Sequence, residues 1–336
     1  MQATKGRAPP SGLFGPWVTI DGPGWNGDYT LDYNQEAQFY GVFSSNHPDL
    51  ATSYFPPVLD FLAAARRGGQ QAAALANITC PPHTLHYPCH LGPWGAQSFD
   101  QNVYMHWNGM FAALTFLSHW EYTRDTKLAR ESTYPLLDGL NAWSQCYLVR
   151  DPVGGTYQLD DYRAVSPDEE HEGQKVPNPQ IGLALIRRIA QGQLDMAKAL
   201  DLPEPAGLSD IVTHLAPFST TVDGNGTTVW AAYPNATVPD SDNFALYPVW
   251  PTEAVNPIDE RTSSPALRTL ARASSKLYGG FDGRPVLVFS AAVRAGVAMD
   301  NRGENDEAGT GWTAREILDG LKQLVAKGGI GFVVNA

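Results

Sequence analysis

Leu50-Ala51, followed by Pro57-Val58-Leu59-Asp60 and Leu62, returns without a gap as Leu128-Ala129, Pro135-Leu136-Leu137-Asp138 and Leu140. The offset is 78 residues at every matched position, from Leu50 to Leu128 as from Asp60 to Asp138. Each copy stands where a loop runs into a helix. His47-Pro48-Asp49 precedes the first and Arg124-Asp125-Thr126 the second. A recurring helical hairpin implies helices stacked in a repeating array, because one unit cannot bury its apolar face alone. Two copies suit an open solenoid or a closed ring. The long loops, all of similar composition, favour a ring with its loops gathered at one mouth.

The rest of the chain has the same helical character. Phe111, Leu114, Leu117 and Trp120 recur at helical spacing, as do Ile186, Ile189, Ala190, Leu194 and Ala197. The pattern predicts helices near 31–46, 49–66, 100–123, 127–149, 178–201, 207–216, 264–277, 285–298 and 313–327. Between them run loops rich in Gly, Pro, Asp and Asn, notably 77–99, 151–177, 217–262 and 299–312. Thr227-Thr228-Val229-Trp230 and Val286-Leu287-Val288-Phe289 are short strand candidates, but no run of strands alternates with helices.

Composition narrows the function. The 336 residues are 43% hydrophobic and 17% charged, which describes a globular protein with a large core. No stretch supplies the roughly 20 apolar residues that a membrane span needs. A net charge of −12 with no basic cluster argues against nucleic acid. Asn77-Ile78-Thr79, Asn225-Gly226-Thr227 and Asn235-Ala236-Thr237 are glycosylation sequons in loop-like stretches, and favour a secreted or secretory-pathway protein. Cys80 and Cys89 flank a Pro- and His-rich loop that a disulfide between them would close, leaving Cys146 as a buried thiol on an apolar helix. Met1 leads straight into Lys5 and Arg7, so the expectation is an export signal upstream of this chain.

The most chemically informative run is residues 25–41. It places Trp25, Tyr29, Tyr33, Phe39 and Tyr40 among Asn26, Asp28, Asp32 and Asn34, with no positive charge. Aromatic faces beside fixed amides and carboxylates suit a pyranose, which has apolar faces and a rim of hydroxyls. Trp25, Tyr29 and Trp107 are the expected stacking residues. Asp28, Asp32 and Asn34 are expected to hold hydroxyls or a water.

With the repeat and this run together, the chain resembles the six-hairpin (α/α)6-barrel glycosidases, and most closely relatives of glycoside hydrolase family 95, the α-L-fucosidase family. The Trp25–Gly41 run resembles that family's Gly-Asp-Tyr segment. Trp120-Glu121-Tyr122-Thr123-Arg124-Asp125 resembles a second stretch, and Asn178-Pro179 leading into Ile186-Arg187-Arg188 a third. The resemblance implies an all-α toroid, possessing an N-terminal loop over 1–24 and a catalytic domain over 25–336. It implies cleavage of a terminal sugar from a glycan, with inversion and without a cofactor or metal.

The resemblance also places roles. Two asparagines one residue apart orient the water and its base in the family; here the positions are Asp32, a departure, and Asn34, a match. The family's acid loop corresponds to the stretch holding Asp160-Asp161 through Glu172. Ser166-Pro167-Asp168 resembles its Ser-Pro-Glu, and His171-Glu172 the His-Glu pair of relatives. The order of preference for the general acid is Glu172, Glu170, Asp168. The family's base follows a helix like 313–327, where this chain ends without a further carboxylate. Asp306 and Glu307 are the only late carboxylates on a suitable loop, and they read as an insertion. The expectation is therefore a barrel lacking its last hairpin, the rival being a catalytically inactive sugar-binding homologue. The His residues that precede Leu-Tyr-Pro in the family are missing from Asp240 to Pro248. His83, His86 and His90 fit no familiar zinc spacing. His106 is a further substrate-contact candidate.

Overall fold

The computed structural model describes residues 10–13, 21–22, 27–31, 33–97, 106–159, 176–238, 243–256, 264–277, 285–295 and 322. The chain forms two compact units, one of residues 1–175 with 185–215 and one of 176–184 with 216–336.

The first unit opens with strand β1 (Tyr29–Thr30) and the short helices α1 (Asn34–Ala37) and α2 (Gly41–Ser44). A 3-10 segment (Pro48–Ser53) leads into α3 (Phe55–Asp60) and α4 (Leu62–Leu75). After β2 (His90–Leu91) come α5 (Asn108–Thr123), α6 (Thr126–Leu128), a π-helical turn (Ala129–Thr133) and α7 (Tyr134–Tyr147). The ribbon of β3 (Val149–Arg150) and β4 (Tyr157–Gln158) precedes α8 (Gln180–Ala199) and α9 (Leu208–His214).

The two repeat copies share one device. In both, Pro follows an irregular turn and opens a regular helix: Pro56 and Pro57 in α3 behind the 3-10 segment, Pro135 in α7 behind the π turn. Proline has no N–H to give and its ring crowds the carbonyl four residues back, so the preceding turn must tighten or widen. Asp125 caps the second copy by accepting from the N–H groups of Lys127 and Leu128, each at 3.0 Å. The predicted helix over 31–46 is instead broken into α1 and α2. Tyr33, with φ at 118°, precedes the first turn, so the helix cannot start before Asn34.

Core packing centres on α5, which is buried nearly all round rather than on the one stripe its periodicity suggested. Phe55 lies 4.5 Å from Phe116 between ring centroids, and Tyr54 meets Phe39 edge-on at 5.1 Å. The Tyr54 hydroxyl donates to Glu36 at 2.9 Å, inside the core, where Glu36 has no exposed surface. Burial, and then the Glu36 carboxylate, hold the Tyr54 hydroxyl well above its ordinary pKa. Tyr54→Phe takes that donor from a carboxylate that stays buried. It is expected to cost about 2 kcal/mol of unfolding free energy, a magnitude usual for hydrogen bonds to charged groups. Urea denaturation checks this, and a loss below about 0.5 kcal/mol would show Glu36 to be held by its other contacts.

The stretch from Cys80 to Cys89 is not a surface loop. Leu85, Tyr87 and Cys89 are buried, and Tyr87 donates to the Val58 carbonyl at 2.9 Å. Gly139 of α7 admits this segment: a Cβ there would lie 2.5 Å from Leu85 Cγ. The expected Cys80–Cys89 bridge is corrected by this packing. Cys80 is bonded to Cys146, with Cα atoms 5.5 Å apart, and Cys89 is the buried thiol. Cys89 lies beside β2, where its carbonyl accepts from Leu31 N at 2.8 Å, while Cys80 packs with Trp143 on the face of α7 that carries Cys146.

Two stretches that carry the family resemblance meet in this unit. Arg188 of α8 contacts both carboxylate oxygens of Glu121, at 2.8 and 2.7 Å. Gln193 links the second repeat copy to the same helix, accepting from Asn141 at 2.7 Å and donating to Asp138 at 3.0 Å.

The second unit contains the start of α8, the hairpin of β5 (Thr220–Val222) and β6 (Thr228–Trp230), and helices α10 (Pro265–Leu277) and α11 (Pro285–Arg294). The strand expected at 227–230 is β6, whereas 286–289 is helical. Trp230, Leu246, Val249 and Val255 build its core with Ala271 and Ala291. Trp230 N donates to Ser274 Oγ at 2.7 Å, tying β6 to α10. The helix expected at 313–327 lies outside the described residues apart from residue 322. Among the described residues, no helix is long and apolar enough to cross a membrane.

Candidate active site

Residues 27–36 are organised by a partner some 60 positions away. β1 pairs antiparallel with β2, Thr30 opposite His90 and Tyr29 opposite Leu91. The pairing brings Asp28, Thr30 and His90 together in a site almost closed to solvent. His90 Nδ1 lies 3.2 Å from each carboxylate oxygen of Asp28, and the Thr30 hydroxyl donates to Asp28 Oδ1 at 2.9 Å. A carboxylate taken from water loses several kcal/mol of hydration, so such partners are required to keep it there. Asp28 Oδ1 thus ties β1 to β2, and the Asp28 backbone carbonyl accepts from Leu13 N at 2.8 Å.

Asn34 sits at the start of α1, half-buried, and its side-chain amide has no hydrogen-bond partner among the described residues. Immediately before it, Tyr33 holds a left-handed backbone conformation that a tyrosine rarely adopts. Its N–H donates to Glu36 Oε2 at 3.2 Å. Strain of this kind costs about 1–3 kcal/mol and collects at functional sites. The turn before Asn34 is fastened by the buried Glu36, which accepts from Tyr33 N and from the Tyr54 hydroxyl.

Two of the three expected stacking residues, Tyr29 and Trp107, lie deeper than a sugar platform. Tyr29 is 4% exposed and donates to the Pro10 carbonyl at 3.0 Å, and burial raises its pKa to about 12. Trp107 is 5% exposed and leads into α5, against which α1 packs. Trp25, Asp32, Asp168, Glu170 and Glu172 lie outside the described residues, as do Asp306 and Glu307.

His83, His86 and His90 go to three different partners. His83 faces Asp138 at 3.6 Å, His90 faces Asp28, and His86 Nε2 lies 3.1 Å from His106 Nδ1. The last pair is enclosed by Trp143 and Tyr147, with ring centroids 5.2 and 4.9 Å from that of His106. Burial lowers the His86 pKa from 6.5 to about 4, and burial followed by the nearby His86 holds His106 well below its ordinary value. A histidine depressed in this way binds its proton more readily when the chain is unfolded. Its stabilising contribution is whole above pH 6.5 and is lost as pH falls from 6.5 towards 4. The thermal midpoint is therefore expected to fall steeply across that window, and less steeply in His86→Gln. Equal slopes would assign the acid sensitivity to other groups.

Sequence reasoning missed Thr30 and His90 as one unit, and missed Glu36 with Tyr54. The clue to the second was a glutamate set among aromatics. Nothing local signalled the first, because only strand pairing brings His90 to Asp28.

The family model of the glycosyl hydrolase family 95 catalytic domain matches residues 2–279. The chain belongs to glycosyl hydrolase family 95. With that membership comes the family's all-α fold, the (α/α)6 barrel of helical hairpins, in agreement with the helices of both units. No curated protein matches the chain. The family match takes in the Asp28–Asn34 segment, the stretch from Asp160 to Glu172 and both repeat copies. A glycoside hydrolase-like function and a glycan substrate follow from it at that level of detail.

Proposed function

We propose that this family 95 domain, residues 25–336 behind a leading loop over 1–24, hydrolyses the glycosidic bond of a terminal sugar in an oligosaccharide or glycoconjugate, with inversion at the anomeric carbon. In that reaction an acid protonates the leaving oxygen while a base activates a water on the opposite face, the two carboxyls standing roughly 6.5–9.5 Å apart. Glu172 is the first choice for the acid, with Glu170 and Asp168 behind it. Asn34, with Asp32, orients the water. Trp25 supplies a ring for the sugar. The single observation that carries the reading is the geometry at Asn34 inside a segment matched by the catalytic-domain family: a strained turn at Tyr33 and a buried Glu36–Tyr54 pair flank an amide that has no hydrogen-bond partner among the described residues.

The second reading, a sugar-binding homologue without turnover, draws on Asp32, which stands where the family carries asparagine. A second carboxylate near the base would raise its pKa and weaken it as a proton acceptor. Hydrolysis of a panel of aryl glycosides, including α-L-fucoside and α-L-galactoside, separates the two. Proton NMR in the first minutes reads the anomer released. Release of the β sugar from an α-glycoside supports inversion, and release of the α sugar refutes it. Saturable sugar binding with no turnover on any glycoside would favour the second reading.

A further inference from the structure

We propose that Asn77, Asn225 and Asn235 are N-glycan acceptors, and that the chain matures in an oxidising, glycosylating compartment. Three sequons alone are a sequence pattern that chance can supply. The structure adds two independent observations. First, all three share one presentation: asparagine and threonine are both exposed, and the asparagine sits in a turn. Asn77 follows α4 in a left-handed conformation, with φ at 56°. Its neighbour Ile78 packs inward with Ala73 and Trp143, leaving Asn77 and Thr79 outward. Asn225 lies at the tip of the β5–β6 hairpin, where the Asp223 carboxylate accepts from the N–H groups of Asn225 and Thr227 at 2.9 and 2.8 Å. Asn235 has φ at 66° in the turn closed by Ala236 N donating to Tyr233 O at 3.1 Å. A bulky polar substituent on any of the three side-chain amides meets solvent.

Second, the Cys80–Cys146 bridge is a structural disulfide, of the kind that persists where thiols are not kept reduced. Its formation passes two protons and two electrons from the thiols to a disulfide exchange partner of that compartment. The first sequon ends one residue before Cys80, whose partner lies 66 residues further on. Asn77 therefore emerges during synthesis before its neighbour can close the native bridge, and is accessible as an unfolded acceptor. In the transfer itself, the amide nitrogen forms a bond to the anomeric carbon of a lipid-linked oligosaccharide diphosphate. The carbon–oxygen bond to the diphosphate breaks, the lipid diphosphate departs and the amide gives up one proton.

This inference stands apart from the glycosidase reading, and its test needs no activity. The chain is purified from the cells that make it and treated with an amidase that releases N-glycans, which converts each modified asparagine to aspartate. Peptide mass mapping is expected to find aspartate at 77, 225 and 235, and iodoacetamide is expected to leave Cys80 and Cys146 unlabelled until reduction. Thr79→Ala, Thr227→Ala and Thr237→Ala, expressed in the same cells, are each expected to remove one glycan while leaving the asparagine in place. An unconverted asparagine overturns the assignment at that position. Three unconverted asparagines with a reactive Cys80 thiol overturn the whole inference.

Discussion

Glu172→Gln is expected to slow hydrolysis of a natural glycan roughly 10²–10⁴-fold, the usual contribution of a positioned general acid. Glutamine keeps the shape and loses the proton. A sugar or alkoxide leaving group needs that proton, because it is a poor anion. A nitrophenolate leaving group does not. The loss on an activated aryl glycoside is therefore expected to be much smaller than on a disaccharide with the same sugar. The alkaline limb of the pH–rate profile is also expected to be lost while the acidic limb stays, since the pKa of the acid sets the alkaline limb and that of the base the acidic one. Glu170→Gln and Asp168→Asn are the controls. If one of them shows the leaving-group dependence and Glu172→Gln does not, the acid is reassigned to it. A uniform, leaving-group-independent loss in Glu172→Gln would make Glu172 a substrate-binding residue.

Cys146→Ser is expected to lower the unfolding free energy by about 4 kcal/mol, the chain-entropy value for a loop of this length. The bridge spans 66 residues, from the end of α4 across α5 to the last turn of α7. It is the one disulfide among the described residues. The thermal midpoint under non-reducing conditions reads the loss, and reductant added to the parent protein is expected to reproduce it. Cys89→Ser is the contrasting variant. Cys89 is buried but not bridged, so its replacement is expected to leave the response to reductant intact. A parent whose midpoint is indifferent to reductant would refute the bridge as a source of stability.

The helices were legible because their apolar residues recur at 3–4-residue spacing, and a local period is a local property. The repeat was legible for the same reason: Pro57 and Pro135 announce a helix start wherever they stand. Of the candidate site, one segment was visible as a single run of sequence. Asn34 and its aromatic neighbours lie within one run, and the family match takes in that run. What failed was inference across distance. Proximity along the chain favours a bridge from Cys80 to Cys89, nine positions away, because short loops close easily. The packing of Leu85 against Gly139 turns Cys80 towards α7 instead.

Sequence by itself determined the all-α class, the 78-residue repeat, the sugar-suited segment and the family. Each of these is written in residue order or in side-chain type. Only the tertiary structure decided that His90 anchors Asp28, that Glu36 is buried beneath Asn34 against Tyr54, and that the disulfide joins Cys80 to Cys146. These pairings join residues 18 to 66 positions apart. Their stabilisation comes from burial, which removes water as the competing partner. A sequence does not state which distant residue will occupy that dry space, because the space exists only once the helices have packed.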